Sequence, residues 1–206
     1  MPLTKDIFRK DCFAKLKKVT KTSLTLRNAR VNFILKKRFN NVKKKRVLVY
    51  SSLDFEANIL KTINYLRKKN EIYSPFMEGK SFKMVPFRLP LKKNRVGIYE
   101  AGYSFKNIKK VDIAVVPIVG VDAKFQRVGF GKGMYDRFFE KLKKRPFTVF
   151  VQAELCYTKH FVCDKYDIYG DLIVTPYVVI ENKEFHRKVR RDNVKRNTNW
   201  RLNSHN

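Results

Sequence analysis

The stretch VDIAVVPIVGVD, residues 111–122, constrains this chain more than any other. It is apolar almost throughout, yet far shorter than the roughly 20 residues needed to cross a bilayer. A run without polar alternation reads as a strand covered on both faces, the habit of parallel sheets. Parallel neighbours need long crossovers, usually helices. The rest of the chain supplies them.

Residues 4–19 place Phe8, Cys12 and Leu16 four apart, with Phe13 beside them and Thr4 positioned to cap the start, and predict a helix. Lys5 and Arg9 are also four apart and share a face. A second helix over about 26–39 is expected to turn Leu26, Ala29, Phe33 and Ile34 inward. RVLVYSS (46–52) predicts a buried strand, and EANILKTINYLRKK (56–69) a helix with Ile59, Leu60, Ile63 and Leu66 on one side. EIYSPFM (71–77) and FKMVPF (82–87) are strands that Pro75 and Pro86 push towards sheet ends or edges. A helix at YDRFFEKLKK (135–144) and strands at FTVFVQAE (147–154) and DLIVTP (171–176) complete the series. Strands alternating with helices predict an α/β fold, three layers α/β/α around a mostly parallel sheet, as one domain over residues 1–180. From 181 to 206 the text turns polar and basic and is expected to be a tail outside the core.

Charge narrows the partners. Lys plus Arg number 47 against 18 Asp plus Glu, a net charge of +29 over 206 residues. Such a field attracts anions such as nucleic acid or phosphorylated ligands. The three cysteines, Cys12, Cys156 and Cys163, form no CxxC pair, which argues against zinc and predicts reduced thiols in the cytoplasm. The opening MPLTKDIFRKDCF lacks the apolar core of a signal peptide. A soluble cytoplasmic monomer is the expectation.

The segment RVGFGKGMYDRFF, Arg127 to Phe139, carries the chemistry. Gly129, Gly131 and Gly133 let backbone N–H groups approach an anion, and a helix start behind them adds its positive end. Lys132 supplies a point charge inside the loop. Two familiar phosphate cradles fail on spelling. A Walker loop needs glycine five residues before the GK pair and Ser or Thr after it, where Gln126 and Gly133 stand; a dinucleotide fingerprint needs glycine where Met134 stands. Asp136 then sets a problem, because an acid beside the loop repels phosphate unless a metal intervenes.

The longer text VDIAVVPIVGVDAKFQRVGFGKGMYDRFF resembles the signature of the 5-formyltetrahydrofolate cyclo-ligase family, also called methenyltetrahydrofolate synthetases. In that family a strand ending V-P-G-hydrophobic-hydrophobic-D precedes R-[LV]-G-x-G-x-G-Y-Y-D-R. Other blocks follow in family order. KDIFRKDCFAKL looks like the opening K-x-x-x-R helix, VLVYSSLDFEANILKTI like the strand and loop with a glutamate, NRVGIYEAG like G-I-x-E-P, and YDIYGDLIVTP like the closing H-D-x-x-x-D-x-[IV]-[IV]-T-P. The blocks span about residues 5–176. Met134 replaces a tyrosine, Phe125 a glycine, Ala101 a proline, and Tyr166 a frequent histidine.

The resemblance implies conversion of 5-formyltetrahydrofolate to 5,10-methenyltetrahydrofolate with ATP and Mg²⁺, by phosphorylation of the formyl oxygen and closure by the second folate nitrogen. It assigns ATP phosphates to Lys5, Arg9 and the run Arg127, Val128, Gly129, Phe130, Gly131, Lys132, Gly133, Met134 and Tyr135. Lys132 and Arg9 face the transferred group as catalytic residues. Phe130, Gly131, Lys132, Gly133 and Met134 also meet the folate, with Ser51 and Glu56 at the pterin. Asp136 and Asp167 take Mg²⁺. The folate is expected with or without a polyglutamate tail, and the basic tail is expected to give weak, nonspecific nucleic-acid binding. The rival readings are an RNA-binding protein on an α/β scaffold, resting on the charge and on Trp200, and a folate binder without turnover.

Overall fold

The computed structural model describes residues 2–19, 21–93, 99–104, 108 and 110–182. In chain order these form α1 (Lys5–Lys17), α2 (Lys21–Arg38), β1 (Arg46–Leu48), α3 (Leu60–Leu66), β2 (Glu71–Glu78), β3 (Ser81–Pro86), β4 (Lys92–Lys93), β5 (Tyr99–Glu100), β6 (Ile113–Pro117), β7 (Gly120–Val121), β8 (Arg127–Val128), α4 (Met134–Glu140), β9 (Phe147–Val151), β10 (Leu172–Val174) and β11 (Val179–Glu181).

Seven strands make the main sheet, in the order β11-β10-β9-β6-β1-β2-β3. The five inner strands run parallel, and each edge is closed by an antiparallel partner, β3 on β2 and β11 on β10. β6 lies at the centre with every residue buried, as its composition requires. Successive side chains of a strand point to opposite faces. Val47, Val115, Val149 and Val174 therefore face α1, α2 and α3 in one apolar cluster. Leu48, Ala114, Val116, Phe150 and Ile173 face Phe138 of α4 in the other. This is the expected three-layer α/β/α arrangement. Pro86 ends an edge strand, and Pro75 sits where β2 has run past β1, whose pairing stops at Tyr73.

The structure corrects several expectations. VDIAVVPIVGVD is two strands rather than one, because after Pro117 the chain leaves the sheet to form a small ribbon, β7 on β8. The helix expected over 26–39 begins at Lys21, and its inward face holds Val31, Asn32 and Leu35. Leu26 is 65% and Phe33 71% exposed; Phe33 lines a groove of about 510 Å³ with Ala29, Arg30, Ile34, Pro176 and Tyr177. Asn32 is buried because its side chain bonds to the Asn58 carbonyl and accepts from Thr62 N, joining α2 to α3. Leu60 is exposed and the first turn expected from Glu56 is absent, since Glu56 Oε2 accepts from Leu53 N at 2.9 Å and folds a separate turn.

The cysteines are the largest correction. Cys12 of α1 and Cys156, beyond β9, form a disulfide with Cα atoms 5.6 Å apart. A separation of 144 residues hides the pair in sequence. Only Cys163 is a free thiol among the described residues. The cysteine count thus gives no argument for a reducing compartment. No described helix is long and apolar enough to cross a membrane. The expected tail lies outside the described residues from 183 onward; Glu181 ends β11, and Asn182 N donates to Asp171 O at 2.9 Å.

Candidate active site

The ribbon β7–β8 aims the glycine loop. Asp122, fully buried, accepts from Lys124 N and Gln126 N through one oxygen and from Cys163 N through the other. It thereby closes the hairpin turn and holds it to the segment before β10. Phe125 lies in that turn at φ +58°, a left-handed backbone that glycine adopts at no steric cost and that a bulky side chain rarely takes. The chain then passes Gly129 and reaches Gly131 (φ +91°) and Gly133 (φ +56°) before α4 starts. A Cβ on Gly129 would lie 2.1 Å from the Arg127 guanidinium, so the glycine leaves room for that side chain.

Arg127 is buried beneath the loop. Its Nε donates to Pro117 O at 3.2 Å, and its guanidinium lies 5.0 Å from the Tyr135 ring and 4.0 Å from Asp136 Oδ2. Val128 is buried and accepts from Val119 N, while Met134 and Tyr135 pack onto the α4-side core, Tyr135 edge-on to Phe82. Lys132 is exposed at the loop tip. Its carbonyl accepts from Arg137, which also donates to Lys80 O and ties the loop to the β2–β3 hairpin.

Helix α1 approaches from the other side. Thr4 caps it, accepting from Ile7 N. Arg9 Nε donates to Gly129 O at 2.9 Å, across 120 positions of sequence, and Asp6 pairs with the same guanidinium. Phe13 of α1, Phe55 and Phe130 meet with ring centroids 5.3–6.1 Å apart, so α1, the loop after β1 and the glycine loop share one aromatic joint. Lys5 bonds to Asp167 and, at 3.1 Å, to Asp164. Burial alone would lower the Lys5 pKa, but these two carboxylates outweigh it and hold the ammonium above its ordinary value.

Asp136 does not cap its own helix. Its Oδ1 accepts from Ile168 N at 3.1 Å, the residue next to Asp167. Both predicted metal-binding aspartates are therefore brought to one strip of backbone. Each keeps a carboxylate of the hard-oxygen kind that Mg²⁺ prefers. Among the described residues no three His, Cys, Asp or Glu side chains cluster as a metal cage.

Glu56 is buried beyond the aromatic joint. Desolvation pushes its pKa up to about 7, although the Leu53 amide and the Arg127 charge pull the other way. Tyr50 and Tyr135 lie in its field, and burial raises both phenols. Ser51 is half-buried just past β1.

Two further acids, Glu100 in the block NRVGIYEAG and Asp164, were given no role by the sequence reading. Asp164 shares Lys5 with Asp167 and accepts from the Tyr166 hydroxyl at 3.0 Å. Glu100 is buried and accepts from Met77 N at 3.1 Å, fastening β5 to β2. Asp164 lies three residues from Asp167, and this proximity was the available clue.

A loop built from ends of the chain this far apart sets a family pattern that spans most of the sequence, and residues 4–176 match the model of the 5-formyltetrahydrofolate cyclo-ligase family. The chain belongs to that family. Within the cyclo-ligases, a 5-formyltetrahydrofolate cyclo-ligase of Haemophilus influenzae is 27% identical over 139 residues, covering 60% of this chain and 74% of the relative. The solution structure of the 5,10-methenyltetrahydrofolate synthetase of Aquifex aeolicus superposes with a TM-score of 0.70 at 24% identity, covering 98% of both chains. The structure of a 5,10-methenyltetrahydrofolate synthetase from Mycoplasma pneumoniae gives 0.66 at 17% identity, covering 84% of this chain and 99% of the other. At these identities the two structures speak for the fold, and the family match speaks for the cyclo-ligase blocks.

Proposed function

We propose that this cyclo-ligase family member converts 5-formyltetrahydrofolate to 5,10-methenyltetrahydrofolate, consuming ATP with Mg²⁺. The observation that carries the reading is the bond from Arg9 Nε to Gly129 O, which seats a cationic helix face on the rim of a glycine loop. A formamide is a poor electrophile, and phosphorylating its oxygen gives the carbon a phosphate leaving group. The second folate nitrogen then closes the ring. Such chemistry asks the protein mainly for position and charge.

The residues have the types for it. Gly129, Gly131 and Gly133 leave backbone free to approach the triphosphate. Lys5, Arg9, Arg127 and Lys132 supply positive charge, with Arg9 and Lys132 facing the transferred group, where charge builds up. Glu56 takes the N–H edge of the pterin, with Ser51 beside it, and Phe130 with Met134 covers the ring and excludes water. Asp136 and Asp167 would hold Mg²⁺, which when bound offsets phosphate charge. The decisive measurement is growth of methenyl absorbance with 5-formyltetrahydrofolate, ATP and Mg²⁺. Folded protein that binds ATP yet forms no methenyl product overturns this reading.

A further inference from the structure

Lys5 and Asp167 enter the reading above as a phosphate ligand and a metal ligand, yet here they hold each other. We propose that the Lys5 ammonium is a built-in counter-ion for Asp167, standing where the divalent cation would bind, so that metal enters efficiently only together with the triphosphate. This rests on Asp167 being a metal ligand.

Asp167 is only 6% exposed, and a buried carboxylate stays ionised only if paired and hydrogen-bonded. Its Oδ2 accepts from Asp164 N at 2.7 Å and from Lys5 Nζ. Lys5 is seated rather than draped over the surface. Asp164 Oδ2 takes the same ammonium at 3.1 Å, and the Tyr166 ring lies 5.7 Å from Nζ. The second aspartate has a parallel arrangement, with the Arg127 guanidinium 4.0 Å from Asp136 Oδ2. Each carboxylate read as a metal ligand thus faces a cation read as a phosphate ligand. Triphosphate draws Lys5 away from Asp167 and brings its own metal to the freed oxygen. The exchange keeps every charge compensated, and it makes metal and nucleotide binding mutually favourable, since such coupling is reciprocal.

Titration with Mn²⁺, followed by electron paramagnetic resonance on nucleotide-free protein, tests the idea without any turnover. Lys5→Gln should bind Mn²⁺ more tightly than wild type by roughly tenfold or more, the scale of one charge-assisted bond. Lys165→Gln removes an equal charge from the same segment and should change little. Lys5→Gln combined with Asp167→Asn should lose the gain. Equal affinity in wild type and Lys5→Gln, an equal gain in Lys165→Gln, or a gain that survives Asp167→Asn each overturns the proposal. Should Lys5→Gln not fold, acylation of Lys5 in the wild type serves instead. Saturating Mn²⁺ without nucleotide should speed labelling at Lys5, read by mass spectrometry, and an unchanged rate overturns the proposal. The methenyl assay reports independently on the cyclo-ligase reading, so either idea can fail alone.

Discussion

Lys132 and Glu56 show how differently two charged side chains can be held in one site. Lys132 is exposed at the loop tip and carries no packing role, so its replacement should change catalysis far more than stability. Lys132→Met is expected to reduce turnover or ATP affinity roughly 10- to 100-fold, the effect of one charge-assisted contact, with the melting temperature kept. Unaltered steady-state kinetics would show that the lysine serves only the solvent. Glu56 is the opposite case. Its folded pKa of about 7 lies above the ordinary 4.5, so between these values the folded chain keeps a proton that the unfolded chain has lost. Stability should therefore fall as pH rises through that window, by up to about 3 kcal/mol, and level off above it. Urea unfolding of wild type and Glu56→Gln across pH 4 to 8 reads the difference, and identical pH slopes would contradict it. Single residues also mark the limit of the sequence reading. The residue types at Lys5, Arg9, Lys132 and Asp136 were legible from the resemblance. That Lys5 grips Asp164 was not, because 159 positions separate them and no periodicity links them.

At the scale of elements, the sheet was legible because apolar runs as dense as Ile113–Pro117 have no other stable place than between two covered faces. Helix faces were less so. Leu26 and Phe33 have the spacing of an inward stripe, but Asn32 wins the buried position by satisfying its amide on both the Asn58 carbonyl and the Thr62 amide. The disulfide from α1 to the segment after β9 bears on the site directly. It stands one turn beyond Arg9 and fixes the helix that brings Arg9 to Gly129. Closing a loop of 144 residues restricts the unfolded chain, and Cys156→Ser is expected to remove about 2–5 kcal/mol of stability. A urea midpoint that does not move, with or without reductant, would mean that the two thiols stay unpaired in solution.

For the whole molecule, a boundary just past β11, the last described strand, is a testable expectation. β11 pairs with β10 as far as Glu181, Arg38 bonds to Glu181 at 2.8 Å, and Asn182 bonds to Asp171 and Gly170. Removal of residues 183–206 should leave melting unchanged, whereas removal from residue 179 should lower it, because β10 loses its edge partner. The shorter deletion should also weaken binding to RNA at low salt, since basic residues supply a salt-sensitive affinity; equal melting of the two truncations would refute the boundary. The Lys5–Asp167 contact spans 162 positions, nearly the length of the described chain. During synthesis at roughly 5–20 residues per second, the first helix must wait on the order of ten seconds for its acidic partner to be made. Through that interval Phe8, Cys12 and Leu16 have no finished sheet to rest on. A half-made chain is thus sticky at this helix, and the site becomes whole only once the segment carrying Asp167 has left the ribosome.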